Sequence, residues 1–191
     1  MKWYQRISTG TGLLVGTAFI AVQALVLFAM GRPPICMCGY ISLWGGIASG
    51  PEISQQITDW YSFSHVIHGF GLYFALWLIA PRAPVALRLI LALAFEVSWE
   101  IVENTPFIID RYRQSALAQG YFGDSVINSV GDTIASVFGF LLAGSLPAWG
   151  IVALTIAVEL FTLYMIHDNL TLNIIQLIYP NDAISHWQTG N

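Results

Sequence analysis

A series of apolar runs, each about as long as a bilayer is thick, leaves this chain few ways to fold. The first, Gly12 to Met30, is about 19 residues without a charged side chain, and a helix needs about 20 residues to cross a hydrocarbon core of about 30 Å. Comparable runs follow near 61–80, 86–103, 124–146 and 149–166. They predict an all-α fold: a polytopic membrane helix bundle of about five transmembrane helices, in one integral-membrane domain covering 1–191. Composition agrees, with 56% hydrophobic and 9% charged residues against about 45–50% and about 25% in soluble domains. A net charge of -4 leaves no basic face, so nucleic acid is not expected as a partner.

Lys2 and Arg6 before the first run give it the make-up of a signal peptide. The run is longer than the 7 to about 15 residues of a signal-peptide core, and no small-x-small site closes it, so a retained helix is expected. Breakers at Pro33-Pro34, Gly45-Gly46 and Gly50-Pro51 mark 31–59 as a loop. Cys36 and Cys38, the whole cysteine complement, read as two small loop thiols rather than a redox or metal pair, because one intervening residue strains a bond and zinc needs further ligands.

Pro81 and Pro84 separate the second helix from a third that stops before Pro106. Asn104 to Phe122 reads as a polar connection, and Pro147 as a tight turn between the last two long runs. Leu172 to Tyr179 is too short to span and reads as an interfacial or re-entrant helix. Short-loop arginines and the basic start favour a cytoplasmic N-terminus, with Lys2, Arg6, Arg82 and Arg88 inside and Arg32, Arg111 and Arg113 outside.

Five alternating spans bring the start of helix two, the end of helix three, the start of helix four and the end of helix five to one side. His65, His68, Glu100, Glu103, Asp124, Asn128, Asp132, His167 and Asp168 share that side. Spacing groups them further: His65 and His68 are i, i+3, Glu96, Glu100 and Glu103 are i, i+4, i+7, and Asp124, Asn128 and Asp132 are i, i+4, i+8. Carboxylates crowded into a bundle need a partner. A divalent metal ion, held by His65 and Glu103 among the site residues, is one solution; Arg111 and Arg113 folding back onto Glu100, Glu103 or Asp110 is the other. Asp124 reads as a helix N-cap, whereas Asp132, about two turns further in, calls for a buried network or a functional role. His167-Asp168 and the Trp and Tyr residues read as interfacial.

Glu100-x-x-Glu103, Arg111 and Asp124-x-x-x-Asn128-x-x-Gly131, with Gly139 beyond, resemble the VanZ-like membrane families, in which a histidine-bearing helix precedes Glu-x-x-Gln, an Arg and Asp-x-x-x-Asn-x-x-Gly. His68, Glu100, Asp124 and Asn128 take the matching positions, while Glu103 stands where the pattern has Gln and adds a charge. Nearly the whole chain, including His65-x-x-His68-Gly-Phe, Trp99-Glu100, Asn104-Thr-Pro-Phe and Gly123-Asp-Ser, resembles an uncharacterised family of small bacterial inner-membrane proteins. That resemblance implies a multi-pass protein of the bacterial inner membrane.

The expected function is an enzyme, a hydrolase or transferase, acting on a lipid or envelope small molecule in a polar cavity at the periplasmic side. His68 or Glu100 would be the general base, with Asp124 and Asp132 orienting it or holding a cation. Arg111 and Arg113 would take an anionic headgroup, with Asn128 in the same substrate-binding set. These groups are expected within about 3 to 6 Å of a neighbour. No Gly-x-Ser-x-Gly motif argues for acyl-enzyme chemistry. The alternative is a non-catalytic membrane protein, a proton-coupled or transporter-like binder or an assembly factor, since intramembrane carboxylates also make proton relays.

Overall fold

The structure, a computed structural model, describes residues 9–189. Lys2 and Arg6, on which the reading of the N-terminus leans, lie outside the described residues. Within them the chain is all-α, as the apolar runs predict, with α1 Thr9–Ala29, α2 Ser62–Ile79, α3 Val85–Glu103, α4 Pro106–Tyr112, α5 Val126–Ser145, α6 Ala148–Ile166, α7 Leu170–Ile178 and α8 Asp182–Thr189. The one break in this pattern is a two-residue parallel pairing, β1 Trp44–Gly45 against β2 Thr58–Asp59.

Four helices, α1, α2, α5 and α6, are long and apolar enough to cross a membrane, where five were expected. The fifth, α3, has the length but carries Arg88, Glu96, Glu100 and Glu103. Its charges turn inward: Arg88, Glu96 and Glu100 are buried where α3 packs on α1, α2 and α5. The bundle is accordingly polar inside and apolar outside. Gln23, Ser129, Thr133 and Ser136 are buried, while Leu14, Leu25, Phe138, Val152, Ile156 and Leu160 face outward. A helix satisfies its own backbone in lipid, so such a surface suits a bilayer.

The contact between α2 and α5 sets the geometry of the site. A Cβ on Gly69 would strike the carbonyl of Ser136, and one on Gly139 the carbonyl of Val66. Only glycine lets these backbones approach so closely, the small-residue packing common between membrane helices. Away from the site, Leu76, Ala92 and Phe140 fill the space between α2, α3 and α5.

The connections carry the departures from expectation. Residues 104–122 are not merely a polar connection. With Pro106 in its first turn, α4 buries Ile108, Ile109 and Tyr112 against Ile53 and Tyr121. The loop after α1 is a packed plug, with Gln55, Gln56 and Asp59 buried and the Gln55 amide donating to the Gly123 carbonyl at 2.9 Å. Cys36 and Cys38 are joined by a disulfide rather than standing as two thiols. Ser125, not Asp124, caps α5 by accepting the Asn128 amide at 3.2 Å. Asp168 is not interfacial but buried, accepting from the Tyr61 hydroxyl at 3.3 Å. Past it, α7 folds back against α4, and α8 follows where no helix was expected.

Candidate functional site

The plug positions the first polar groups. Asp59 Oδ1 accepts the amides of Tyr61 and Ser62 at 2.7 and 3.3 Å, and the Asp59 amide donates to Ser62 Oγ at 3.0 Å. This reciprocal arrangement starts α2 as a capping box does. It also fixes Ser62 Oγ, which donates to Asp132 Oδ1 on α5 at 2.5 Å.

One turn further along α2, His65 is the hub of the site. Its Nδ1 lies 2.6 Å from Glu96 Oε1 and 3.2 Å from Glu100 Oε1, and its Nε2 lies 3.9 Å from Asp132 Oδ2. His68 Nδ1 is 3.4 Å from Glu96 Oε1, and the two imidazoles stack edge to face, 4.8 Å between centroids. Glu96 and Glu100 are almost wholly buried, at 1% and 0% exposure. Glu100 Oε2 accepts from Ser129 Oγ at 2.5 Å, and Gln23 on α1 donates to that hydroxyl at 2.8 Å. Glu96 Oε2, Glu100 Oε1 and Glu103 Oε2 have no hydrogen-bond donor.

A second polar group lies beside the first. Asp124 accepts from Asn104 Nδ2 at 2.6 Å and from the Tyr121 hydroxyl at 2.8 Å, while its amide donates to Asn104 Oδ1 at 2.8 Å. Gly123, at φ 102, turns the chain so that this amide can face Asn104. Burial pushes the Asp124 carboxyl up to about 6, against the lowering effect of its two donors. Burial raises the Asp59 carboxyl too, and lifts the Tyr121 phenol well above its ordinary value, with the Asp124 charge adding to the effect. Glu103 accepts from the Tyr112 hydroxyl at 2.9 Å.

Above both groups opens a cavity of about 530 Å³. Ile67, Leu72, Phe95 and Trp99 form an apolar wall, completed by Ile174 and Leu177 of α7. His65, His68 and Asp132 reach it from one side, Glu103, Asp124, Tyr112 and Tyr121 from another.

The expected site residues thus divide. His65, Glu100 and Asp132 come together within 4 Å of the same imidazole, and His68 joins them through Glu96. Asp124 and Glu103 line the same cavity but bind Asn104, Tyr121 and Tyr112 instead. Asn128 supports the plug, donating to the Gln56 carbonyl at 2.7 Å and lying 3.4 Å from Asp59 Oδ2. Arg111 and Arg113 do not turn toward the cluster or line the cavity. Arg111 donates to the Leu177 and Ile178 carbonyls at 2.6 and 2.5 Å, clamping α7, and Arg113 donates to the Tyr121 carbonyl at 2.6 Å and pairs with Asp110. Arg32 is likewise held by the Phe122 carbonyl.

Four contributors had no role assigned from the sequence. Glu96 shares the Glu100 face at i-4, a signal that pointed to it without assigning it a role. Asp59 stands three residues before Ser62, which is capping-box spacing. Tyr112 and Tyr121 had no signal beyond being tyrosines near a site. Within the cluster, two groups of side chains could hold a metal ion, each with its donor atoms within 4.8 Å of one another: His65, His68 and Glu96, and His65, Glu100 and Glu103; a third, Cys36, Cys38 and Glu52, has its two sulfurs tied up in the disulfide.

Residues 27–190 match a family described as Protein of unknown function (DUF2585). Among known proteins, a UPF0314 protein of Sphingopyxis alaskensis is 54% identical over 180 residues, covering 94% of this chain and 96% of that protein. A UPF0314 protein of Rhizobium meliloti is 49% identical over 178 residues, with 93% and 90% covered, and one of Brucella anthropi is 49% identical over 181 residues, with 95% and 92% covered. No solved structure matches the chain. The VanZ-like resemblance rests on its motif residues alone.

Proposed function

The chain belongs to the DUF2585 family of bacterial proteins, which carries no assigned activity, and from the chemistry of its cavity we propose a membrane-embedded hydrolase or transferase acting on an amphipathic lipid or envelope substrate. The observation that carries this is a cavity of about 530 Å³ whose wall is apolar and whose floor holds His65, His68 and Asp132. An acyl or isoprenoid chain fits the wall, and a polar end then meets the imidazoles and the carboxylate. Asp132, held by Ser62, is placed to accept a proton, while Glu96 and Glu100 fix the His65 ring from behind. With Arg111 and Arg113 engaged on main-chain carbonyls, no arginine or lysine lines the cavity among the described residues, so the polar end is neutral or cationic, or is neutralised by a bound cation.

We place the whole chain, as one domain, in the bacterial inner membrane with the N-terminus cytoplasmic and the cavity on the periplasmic side. The Cys36–Cys38 disulfide supports this, because it sits on the loop at the cavity end and disulfides persist in oxidising compartments. The test is to incubate the purified protein in nanodiscs with envelope lipid extract and follow each species by mass spectrometry. One lipid class should be consumed, at a rate lowered about 10²- to 10⁴-fold in Asp132→Asn. If no species is consumed, a second reading takes over: a proton-coupled binder or assembly factor. The hydroxyl and amide series Glu100–Ser129–Gln23–Thr133, which runs from the cluster toward α1, favours that reading.

A further inference from the structure

We propose that His65, His68 and Glu96 form a divalent-cation site of the zinc type, with a fourth position open to the cavity. Charge is the first indication. Glu96 and Glu100 are buried, and among the described residues no lysine or arginine pairs with either. One divalent ion offsets the charges of the two carboxylates nearest the imidazoles, Glu96 and Glu100, and leaves Asp132, held by Ser62, as the one buried carboxylate beside His65 that it does not offset. A ligand oxygen left without a donor points the same way: Glu96 Oε2 is a buried acceptor with no hydrogen-bond partner, and a metal ion is the partner such an oxygen can take.

Geometry selects the ligand set. One donor atom from each of His65, His68 and Glu96 lies within 4.8 Å of the other two. Ligands at about 2.0 to 2.2 Å in a tetrahedral site stand about 3.3 to 3.6 Å apart, and His68 Nδ1 already lies 3.4 Å from Glu96 Oε1. The 2.6 Å contact between His65 Nδ1 and Glu96 Oε1 is a hydrogen bond, and the cation displaces its proton. Two histidines and one glutamate are a donor set of catalytic rather than structural zinc, leaving a position for water or substrate. The far side of His65 also faces a carboxylate, Asp132 Oδ2 at 3.9 Å from Nε2, which is beyond hydrogen-bond distance but favours positive charge on the imidazole and its metal. Nitrogen–oxygen coordination of this kind suits zinc and its first-row neighbours better than magnesium or calcium. Glu103, which accepts from Tyr112, lies outside the set. The inference stands on the cluster alone and needs the lipid reading only for what the open position does.

The test uses full-length protein purified in detergent without chelator, then stripped and titrated with zinc chloride or cobalt chloride. The wild type is expected to bind one ion per chain, with a visible cobalt spectrum from mixed nitrogen and oxygen ligands. His68→Ala and Glu96→Gln should each weaken binding by at least about tenfold, Glu96→Asp should retain part of it, and Glu103→Gln should stay within about twofold of the wild type. Thermal melts of the stripped proteins check that the substitutions leave the bundle folded. Binding that survives both His68→Ala and Glu96→Gln would overturn the site, and so would a wild type that binds no ion in stoichiometric amount. Metal binding without lipid turnover would remove the catalytic reading and leave the site standing; turnover without metal would do the reverse.

Discussion

Asn104 uses every polar atom of its side chain, bridging Asp124 and the Glu100 carbonyl. Asn104→Leu strands Asp124 Oδ2 and the Asp124 amide in a buried setting, leaving only the Tyr121 hydroxyl on Oδ1, and is expected to destabilise by about 1 to 3 kcal/mol, seen as a lower melting temperature in detergent. Asp168 makes a pH-dependent contribution. Burial, with the Glu159 charge adding to it, pushes its carboxyl up to about 6 from an unperturbed 3.8, against the lowering effect of hydrogen bonds from Asn169 and Tyr61. The folded state therefore holds this proton more tightly than the unfolded chain. The stability it adds is full below about pH 4 and is lost as pH rises through about 6. Melting curves of Asp168→Asn against wild type should show the variant gaining relative stability across that window and a constant difference above it. At this scale the sequence was informative where side chains meet side chains: the i, i+4 spacing of Glu96 and Glu100 put both on one face. It pointed Arg111 and Arg113 to an anionic headgroup and gave no sign of the partners they have, because these are main-chain carbonyls, which every residue carries.

Helix rotation decides which of two neighbouring histidines becomes the hub, and glycine contacts set that rotation. His65 and His68 are equivalent by spacing; Gly69 and Gly139 lock α2 onto α5 so that His65 faces both α3 and Asp132. Gly139→Ala puts a methyl into the Val66 carbonyl and is expected to lower stability by about 1 to 3 kcal/mol or more, whereas Gly71→Ala, with nothing within 4 Å of its Cβ, should be neutral or stabilising. Denaturant or thermal unfolding of the two variants side by side checks this. The long helices were legible because an apolar run of membrane length has one good conformation. Helix α4 was not. Its seven residues are too few for a periodic pattern to show, and what holds it is burial of Ile108, Ile109 and Tyr112 against the plug.

For the molecule as a whole, polar residues inside and apolar residues outside define a bundle built for lipid, with its cavity, plug and disulfide at one end. If that end faces the periplasm, Ile47→Cys in a Cys36→Ser/Cys38→Ser background should react with an impermeant maleimide added outside spheroplasts. Arg82→Cys, at the opposite end, should react only after permeabilisation, and the reverse pattern would invert the topology. The apolar runs made the spans readable, but the cavity was not, since its roof comes from α7, a nine-residue helix held down by Arg111. The central claim is that this cavity receives an amphipathic molecule, and Gly71 offers the most direct test. It lines the cavity, and its Cβ direction is open, so Gly71→Phe fills the space without disturbing the helix. Native mass spectrometry of wild type and Gly71→Phe, each released from bacterial membranes under the same mild conditions, should show a lipid-mass adduct on the wild type that is lost or much reduced in the variant. Identical adduct profiles, or bare protein in both, would contradict the account.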